Sequence, residues 1–330
     1  MKESVIVTGG FGFLGSHLVE TYLNRGYQVV AVDNFCTGSR SNQEHFKKEI
    51  AEGRLLAIEA DVSRKWDSWL NTLKDLAPVR SIFHFASPAS PPHYQKLGLE
   101  TLAVNSVGLG HALEAADQRG ARVIFSSTSE IYGDPAMSPQ PETYWGNVNS
   151  FGVRSCYDEG KRFGEALIYT HNLKHSTQHG LVRIFNTYGP RMNPADGRVM
   201  INFLIQAEQR QPLTVYGSGE QSRSFCYVDD LIAGIVRYAE ANLTEPVNLG
   251  NDREFTINQL VDAVRSIYPD RTLEVRHLPL PQDDPRQRKP DLSLAKSRLS
   301  PWSPQVDLRE GLIKMRASLN HPSFLSAREK

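Results

Sequence analysis

Cysteine is scarce in this sequence. Among its 330 residues, only Cys36, Cys156 and Cys226 carry a thiol. An odd number of widely separated cysteines, without the spacing of metal ligands, argues against a disulfide framework and against a cysteine-based metal site. We therefore expect free thiols in a reducing compartment.

Long apolar runs and an excess of charge of one sign are lacking as well. With 37 basic and 37 acidic residues, neither a nucleic acid nor an anionic membrane is an expected partner. No apolar run approaches the roughly 18 residues that a membrane-spanning helix needs. The first apolar strand begins by residue 4, which leaves no room for a signal peptide. These absences predict a cytoplasmic protein, and the 40% hydrophobic content suits one large domain or two intimate lobes.

A glycine-rich turn follows the first apolar segment. Residues 5–15 read V-I-V-T-G-G-F-G-F-L-G, and residues 16–23 favour a helix. Glycines at such a turn let the backbone approach a pyrophosphate, and the N-terminus of the following helix attracts phosphate. The next strand ends at Asp33, whose carboxylate can bind an adenosine ribose 2′-hydroxyl and would repel a 2′-phosphate. The pattern predicts an NAD site rather than an NADP site.

Strand-like and helical segments alternate along the chain, which is typical of a doubly wound parallel α/β sheet of the Rossmann-like kind. The predicted strands are 5–8, 29–32, 55–58, 82–85, 123–126 and 181–184. The predicted helices are 15–24, 42–52, 66–76, 98–118, 158–178, 199–210, 228–241, 256–267 and 307–319. Prolines become frequent after Gly189, so we predict an NAD-binding domain over 1–189 and a smaller substrate lobe over 190–330. This boundary is soft, because such a lobe can return to the first domain.

A tyrosine and a lysine stand four residues apart in C-Y-D-E-G-K-R. The spacing places Tyr157 and Lys161 on one face of a helix. A free tyrosine loses its proton near pH ~10, and a nearby ammonium group together with a nicotinium ring would favour the phenolate. Such a pair is common on helix surfaces, but after a nucleotide-binding turn it predicts a catalytic pair in which the tyrosine is the base.

A polar segment follows the strand around residue 125. Residues 126–133 read S-S-T-S-E-I-Y-G. Their hydroxyl groups and the carboxylate of Glu130 can contact a sugar and the tyrosine, although a serine-rich turn can also simply end a strand.

These motifs resemble the extended short-chain dehydrogenases/reductases and, more narrowly, the UDP-glucuronate decarboxylase family. The superfamily pattern is carried by G-G-F-G-F-L-G-S-H-L at 9–18 and C-Y-D-E-G-K-R at 156–162. The narrower resemblance rests on H-F-A-S-P-A-S-P-P at 84–92 and D-D-P-R-Q-R-K-P-D at 283–291. Further matching stretches are V-D-N-F at 32–35, S-T-S-E-I-Y-G-D-P at 127–135, R-I-F-N-T-Y-G-P-R-M at 183–192, D-G-R-V at 196–199 and L-T-V-Y-G-S-G at 213–219.

The resemblance implies a redox-neutral decarboxylation. NAD⁺ would stay bound and be regenerated while UDP-glucuronate becomes UDP-xylose and CO₂, with no metal. Tyr157 would take the proton of the C4 hydroxyl, and the resulting 4-keto uronic acid would lose its carboxylate. Arg288 would close over the site from the second lobe, with Arg286 as the competing candidate. The implied catalytic residues are Tyr157, Lys161, Glu130, Thr128, Ser129 and Arg288.

The resemblance also implies the ligand contacts. Cofactor contacts are expected at Gly9, Gly12, Phe13, Leu14, Gly15, Asp33, Asn34, Phe35, Thr37, Gly38, Asp61, Val62, Phe85, Ala86, Ser87, Tyr157 and Lys161. Substrate contacts are expected at Ser87, Pro88, Asn186, Arg191, Val199, Tyr216, Gln221, Arg223 and Arg288. His84 is expected to be a buried structural histidine rather than a base. A homodimer is expected through two helices of each subunit that have small and apolar faces. One is the helix at 98–118, with Ala103, Val107, Gly110 and Leu113, and the other is the helix that bears the tyrosine, with Ala166, Leu167 and Tyr169.

Related activities remain alternatives. A nucleotide-sugar 4,6-dehydratase needs an acid where this sequence has Ser129, whose hydroxyl is a poor one. A 4-epimerase needs room for the 4-keto sugar to turn over. A non-catalytic NAD-binding protein on the same fold is the remote alternative.

Overall fold

The computed structural model describes residues 3–73, 75–280 and 287–319. The predicted D-D-P-R segment at 283–286, which includes the competing candidate Arg286, therefore lies outside the described residues.

The centre of the fold is a parallel sheet. In chain order its strands are β1 Ser4–Thr8, β2 Gln28–Asp33, β3 Leu55–Glu59, β4 Val79–His84, β5 Arg122–Thr128, β6 Gly180–Ile184 and β7 Val247–Leu249. In space they follow the order β7-β6-β5-β4-β1-β2-β3, and every neighbouring pair is parallel. The order reverses between β1 and β4, which is the point where doubly wound sheets bind ligands beyond the carboxyl ends of their strands. The predicted fold class is confirmed.

Helices cover both faces of this sheet. They are α1 Phe13–Asn24, α2 Arg40–Glu44, α3 Lys47–Ala51, α4 Asp67–Leu70, α5 Pro91–Lys96, α6 Gly98–Ala103, α7 Leu109–Arg119, α8 Ser155–His175, α9 Val199–Glu208, α10 Val228–Glu240, α11 Ile257–Ile267, α12 Ser293–Arg298 and α13 Leu308–Leu319. A π-helical turn spans Val104–Gly108 and a 3₁₀ turn spans Ser129–Tyr132. None of the helices within the described ranges combines the length and apolar character needed to cross a bilayer.

Both faces of the sheet are buried, as the apolar strands require. Successive residues of β1 point to opposite faces: Val5 and Val7 join one apolar core and Ile6 joins the other. The first core continues into the second half of the chain, including α10, while the second core lies under α7 and α8. Near-continuous apolar strands such as these are stable only when helices exclude water from both sides.

The second half of the chain returns to this sheet. After short strands at Thr187–Tyr188 and Cys226–Tyr227, which pair in parallel, α10 leads to β7 at the sheet edge beside β6. Outside the main sheet, Ser222–Ser224 pairs with Glu254–Thr256 and Gln287–Arg288, and Leu213–Tyr216 pairs with Val275–Leu278. Residues after 189 therefore build both the covering lobe and one strand of the main sheet, and the division at 189 stays a prediction.

Three helix predictions are wrong in their extent. The segment 66–76 is helical only at Asp67–Leu70, because Trp66 and Trp69 turn inward and pack on each other in the core. The segment 42–52 forms two short helices, and 98–118 is divided by the π-helical turn. Strand β4 also begins three residues earlier than predicted, at Val79. In each case tertiary packing decides the boundary, not the local pattern.

A buried ion pair fixes α8 against the sheet. Glu165 on α8 accepts two hydrogen bonds from Arg183 on β6, at 3.0 and 2.7 Å. Ser127 on β5 donates to the same carboxylate at 2.5 Å, and Arg183 also donates to the hydroxyl of Tyr132 at 3.0 Å. Because both charges have several polar partners, they can be buried without loss of stability. The network holds α8 in register with the ends of β5 and β6.

Candidate active site

A cavity of about 610 Å³ lies beyond the carboxyl ends of the strands. Its walls come from the segments that follow β1, β2, β4, β5 and β6, and its roof comes from the second half of the chain. Almost all of the predicted site residues line it, the exception being Phe35. The lining includes Gly9, Gly12, Phe13, Leu14, Gly15, Asp33, Asn34, Thr37, Gly38, Asp61, Val62, Phe85, Ala86, Ser87, Pro88, Thr128, Ser129, Glu130, Tyr157, Lys161, Asn186, Arg191, Val199, Tyr216, Gln221, Arg223 and Arg288.

The glycine-rich turn is shaped by close backbone approach. Gly9 has φ +67°, and a Cβ there would lie 2.9 Å from the backbone of Ala86. A Cβ on Gly15 would lie 1.9 Å from the carbonyl oxygen of Gly9, so only glycine fits. The turn leads into α1, whose first N–H groups face the cavity side of the sheet and suit a phosphate group.

Asp33 stands at the end of β2 with its carboxylate held in place. Its two oxygens accept hydrogen bonds from the backbone N–H groups of Phe11, at 3.0 Å, and Phe35, at 2.9 Å. Burial raises the pKa of Asp33, and these backbone bonds oppose that rise. Each oxygen keeps a further lone pair, so the carboxylate can still accept a pair of sugar hydroxyls. Gly38 lies so close that a Cβ there would meet the carboxylate at 2.6 Å.

Phe35 lies outside the lining of the cavity. It has φ +58° and stacks on Phe11, with ring centres 5.6 Å apart. The guanidinium of Arg40 lies 3.5 Å from the centre of its ring. Phe35 therefore supports the turn after β2 from behind, and its predicted contact with the cofactor stays a prediction.

Tyr157 and Lys161 lie in the first turns of α8, both buried. The ring of Tyr157 stacks on Tyr94 at 5.0 Å, nearly parallel. Lys161 donates to the carbonyl oxygen of Ser126 at 2.7 Å and lies 5.7 Å from the centre of the Tyr157 ring. Burial raises the pKa of Tyr157 to about 12, while hydrogen bonding to Thr128 lowers it. Burial also lowers the pKa of Lys161 to about 7. The rise that burial causes in the pKa of Tyr157 is therefore larger than the lowering expected from the charge of the lysine.

Glu130 is clamped between two guanidinium groups. Arg154 donates to one carboxylate oxygen at 2.5 Å, and Arg288 donates to the other. Burial alone would raise the pKa of Glu130, but the charges of Arg288 and Arg154 outweigh it and lower the pKa to about 2. This carboxyl group is therefore ionised throughout the physiological pH range and cannot serve as a proton donor there.

Arg288 reaches the site from the second half of the chain. Its strand, Gln287–Arg288, pairs with the strand that holds Arg223, and its side chain is 5% exposed. Only Nη1 is used on Glu130; Nη2 is buried and has no hydrogen-bond partner among the described residues. A buried donor without a partner is costly, and a ligand oxygen would satisfy it.

The sequence reasoning missed three residues of the cavity region. Arg154 precedes Tyr157 by three positions and lines the cavity, and Arg198 lies in the D-G-R-V stretch and is paired with Asp196 at 2.5 Å. Tyr94, stacked on Tyr157, is fully buried. A signal for Arg154 was present, since positions i and i+3 of a helix share a face. Nothing local in the sequence points to Tyr94.

The predicted substrate-binding residues in the second half of the chain differ in their exposure and their contacts. Tyr216 is 41% exposed, and its backbone oxygen accepts a hydrogen bond from Gln221 at 2.6 Å. Arg223 is buried. Arg191 has φ +66°, and its guanidinium is engaged by Glu20 at 2.7 Å and by His17. Arg191 therefore joins the loop after β6 to α1, and its predicted role in binding substrate stays a prediction.

His84 is a buried structural histidine, as expected. Its ring nitrogens face the hydroxyl of Thr8 at 3.1 Å and the carbonyl oxygen of Val104 at 3.0 Å. Burial lowers its pKa to about 4. Both nitrogens are engaged, and the residue ties β1 and β4 to the π-helical turn.

Comparison with known proteins agrees with this geometry. A model of the NAD dependent epimerase/dehydratase family matches residues 5–250. UDP-glucuronic acid decarboxylase 3 of Arabidopsis thaliana is 46% identical over 323 residues, covering 96% of this chain and 90% of that protein. UDP-glucuronic acid decarboxylase 1 of Danio rerio is 44% identical, covering 95% of this chain and 72% of that protein.

Solved structures with the same fold include two epimerases. UDP-glucose 4-epimerase from Thermotoga maritima has a TM-score of 0.85 at 28% identity and covers 96% of this chain and 98% of its own. UDP-glucuronic acid 4-epimerase from Bacillus cereus, solved with UDP-glucuronic acid and NAD, has a TM-score of 0.84 at 26% identity with the same coverage. The chain belongs to the NAD dependent epimerase/dehydratase family and is similar along nearly its whole length to UDP-glucuronic acid decarboxylases.

Proposed function

We propose that this chain converts UDP-glucuronate into UDP-xylose and CO₂, with NAD as a cofactor that is reduced and regenerated in each cycle. The relatives at 44–46% identity that carry this activity in their names support the proposal. One structural observation carries it: the Tyr157–Lys161 pair shares a cavity with the buried Arg288, whose Nη2 has no hydrogen-bond partner within the described ranges. A uronate brings both a C4 hydroxyl for the tyrosine and a carboxylate for the arginine.

The residues around the glycine-rich turn fit NAD. The backbone of the turn and the N-terminus of α1 would hold the pyrophosphate, and Asp33 would accept hydrogen bonds from the adenosine ribose. Close approach at Gly15 and Gly38 leaves no space for a side chain. When bound, NAD⁺ supplies an oxidised nicotinamide that accepts hydride from C4 of the sugar and later returns it, and its positive charge favours a nearby phenolate.

Tyr157 would move the proton of the first step. With a pKa near 12 it holds its own proton in the chain alone, and only added positive charge can make it a base. The Thr128 hydroxyl and the charge of Arg198 already lower its pKa. Stacking on Tyr94 fixes the ring, so the phenolic oxygen can take the proton from the C4 hydroxyl of a sugar bound in the cavity.

Loss of CO₂ would depend on residues near C5 and the carboxylate, on the other side of the sugar ring from Tyr157. Oxidation at C4 makes a β-keto acid, so the bond from C5 to the carboxylate can break with its electron pair passing to O4. Tyr157, now protonated, and Thr128 would donate hydrogen bonds to that oxygen. Arg288 would hold the carboxylate before it leaves and then the water that protonates C5. Glu130 would keep Arg288 in place and supply no proton.

The charge state of Glu130 disfavours one alternative activity, and the position of Arg288 disfavours the other. A 4,6-dehydratase must protonate a leaving hydroxyl, but Glu130 is held as a carboxylate with a pKa near 2 and Ser129 is a poor acid. A 4-epimerase must let the 4-keto sugar turn over, whereas Arg288 would retain the uronate carboxylate. Analysis of products from UDP-glucuronate distinguishes the reactions, since only decarboxylation releases CO₂.

Tyr157→Phe tests the first step. Incubation of the parent protein with UDP-glucuronate should release CO₂ and form UDP-xylose. Removal of the phenolic oxygen should slow formation of NADH and CO₂ about 10²- to 10⁴-fold, because the proton acceptor is lost while the stacking on Tyr94 is kept. Tyr27→Phe is the matched control and should react at the parent rate. Near-normal turnover of Tyr157→Phe would show that another residue is the base.

Asp33→Ala tests cofactor choice. We expect the parent to bind NAD well and NADP poorly, because a 2′-phosphate would face the buried carboxylate. In the variant, the ratio of NAD affinity to NADP affinity should fall about tenfold or more, which corresponds to about 1.4 kcal/mol of binding free energy. Titration of both cofactors, followed by protein fluorescence, measures it. Glu44→Ala, an exposed control nearby, should keep the parent preference. Equal affinity of the parent for both cofactors would contradict the assignment of Asp33.

Arg288→His tests the division between oxidation and decarboxylation. Oxidation needs Tyr157, Lys161 and a correctly placed nicotinamide, so bound NADH should still form after rapid mixing with UDP-glucuronate. Release of CO₂ should fall about 10²-fold, as for loss of one positioned donor in other sites. Glu130→Gln should behave in the same direction. The exposed Arg276→His is the control. Parent-rate CO₂ release from Arg288→His would remove this arginine from the chemistry.

We also propose that two chains associate through α6, α7 and α8. Large apolar side chains are exposed on these helices: Leu99, Leu102 and Val107 on one segment, and Phe163, Tyr169 and Leu173 on α8. Exposed apolar side chains on helices that pack against each other favour association. Leu113, which the sequence reasoning placed on this surface, is instead buried in the core.

Light scattering of Leu173→Glu tests the dimer. The parent should have the mass of two chains at micromolar concentration, and the variant should shift toward one, because the new charge would be buried between subunits. Ile313→Glu alters another exposed apolar residue, on α13, and should leave the mass unchanged. A monomeric parent would contradict the proposal.

A further inference from the structure

A cluster of histidines and one aspartate lies at the end of the sheet away from the cavity. Asp117 is near the C-terminus of α7, His171 is in the last turns of α8, and His179 precedes β6. Their ligand atoms lie within 4.8 Å of one another. His171 is 14 positions after Tyr157 on one helix, about 21 Å along its axis, so the cluster takes no part in the chemistry proposed above.

Hydrogen bonds determine which nitrogen of His171 carries a proton. The hydroxyl of Thr177 donates to the side-chain oxygen of Asn172 at 3.0 Å, so it can only accept from Nδ1 of His171, at 3.2 Å. Nδ1 therefore holds a hydrogen, and in the neutral ring the lone pair is on Nε2. That atom lies 3.1 Å from an oxygen of Asp117. Two lone pairs at this distance require a cation between them or a proton on the ring.

His179 has a different role in the cluster. Its Nδ1 accepts a hydrogen bond from the backbone N–H of Val123 at 3.0 Å, so in the neutral ring Nε2 keeps its hydrogen. Nε2 faces the other oxygen of Asp117 at 3.5 Å. This approach is not a hydrogen bond, and Nε2 has no hydrogen-bond partner within the described residues. Because Nδ1 accepts a hydrogen bond and Nε2 carries the hydrogen, His179 is not itself available as a metal ligand.

His175 stands beside His171 at the end of α8. It follows His171 by one helical turn, and the two rings have their centres 4.6 Å apart. Histidines at i and i+4 share a helix face and can bind one ion together. His175 is exposed, so its ring can rotate toward such an ion.

We propose that Asp117, His171 and His175 bind one divalent transition-metal ion, with zinc as the reference case and water completing its coordination. Ligand atoms about 2.0–2.1 Å from a tetrahedral zinc lie about 3.3 Å apart, close to the spacing of Asp117 and His171. The Nδ1–H of His171 bonded to Thr177 matches the outer hydrogen bond that metal-binding histidines usually make. Imidazole and carboxylate ligands suit zinc, whereas magnesium prefers oxygen alone.

The surroundings favour a cation in spite of nearby positive side chains. The helices α7 and α8 both end beside this cluster, and the C-terminus of each helix carries partial negative charge. Arg122 is the basic group that acts on His179, and it is occupied by the backbone oxygens of Gln178, Ala239 and Leu243. The ion would join the end of the catalytic helix α8 to α7.

Zinc binding to chelator-treated, full-length protein near neutral pH tests the proposal. Saturating zinc should raise Tm by about 3–6 °C, and calorimetry should give one site per chain, while magnesium should have no effect. His171→Gln, Asp117→Asn and His175→Gln should each weaken zinc binding about tenfold or more. His175→Gln changes an exposed side chain, so it tests the site even where the partly buried His171→Gln variant folds poorly.

His277→Gln is the matched control, because it removes an exposed histidine outside the cluster and should leave zinc affinity unchanged. Cobalt gives a second readout, since its visible absorption on binding should disappear in His171→Gln. The proposal is overturned if zinc does not raise Tm, or if His171→Gln and Asp117→Asn bind it as the parent does. Full zinc affinity in His175→Gln would equally overturn the three-ligand site. Those results would leave His171 and Asp117 as an ion pair.

Discussion

The arrangement of the active site depends on the buried carboxylate of Glu130. A carboxylate removed from water is strongly destabilising unless it is paired and fully hydrogen-bonded. Here the two partners come from different parts of the fold: Arg154 from the start of α8, and Arg288 from a short strand of the second half. The charge can be buried only when all three segments meet. The same requirement closes the roof of the cavity over the ends of the strands.

This pairing also leaves one donor of Arg288 unused. Glu130 accepts hydrogen bonds from Arg154 and from Nη1 of Arg288, and Arg198 is paired with Asp196. Because Nη2 of Arg288 is buried and has no partner among the residues that the structure describes, the cavity is prepared for an anionic ligand before one arrives. A carboxylate would accept a charge-assisted hydrogen bond from that donor, which is stronger than a hydrogen bond to the hydroxyl group of a neutral hexose. The proposed preference for a uronate thus follows from the same interaction that assembles the site.

The helix α8 transmits this arrangement to the rest of the molecule. Its first turns carry Tyr157 and the buried Lys161. Its middle is fixed to β5 and β6 by hydrogen bonds of Glu165 to Ser127 and Arg183. Its outer face exposes Phe163, Tyr169 and Leu173. One helix therefore carries the proposed catalytic pair, the ion pair that fixes it to the sheet, and the face proposed to contact a second chain. A shift of the helix along its axis would disturb all three.

Local patterns were sufficient for the architecture. The glycine-rich turn and the alternation of strands and helices predict a doubly wound sheet, and the residues that follow β1, β2, β4 and β5 meet at one edge because parallel strands end there. Local patterns failed where packing sets the boundary. Trp66 and Trp69 end a predicted helix by turning into the core, and Leu113 faces the core although its helix pattern allowed the surface.

The sequence by itself determined the residue types and their order: a nucleotide turn, an acid after β2, and a tyrosine–lysine pair at helical spacing. Only the tertiary structure decided their electrostatics. Glu130 and Arg288 are 158 positions apart, and no local pattern shows that they touch or that Arg154 completes the pair. Burial makes Tyr157 a weaker acid than its neighbours in sequence suggest. The reason is physical: pairing and desolvation depend on distances through space, which the order of residues does not contain.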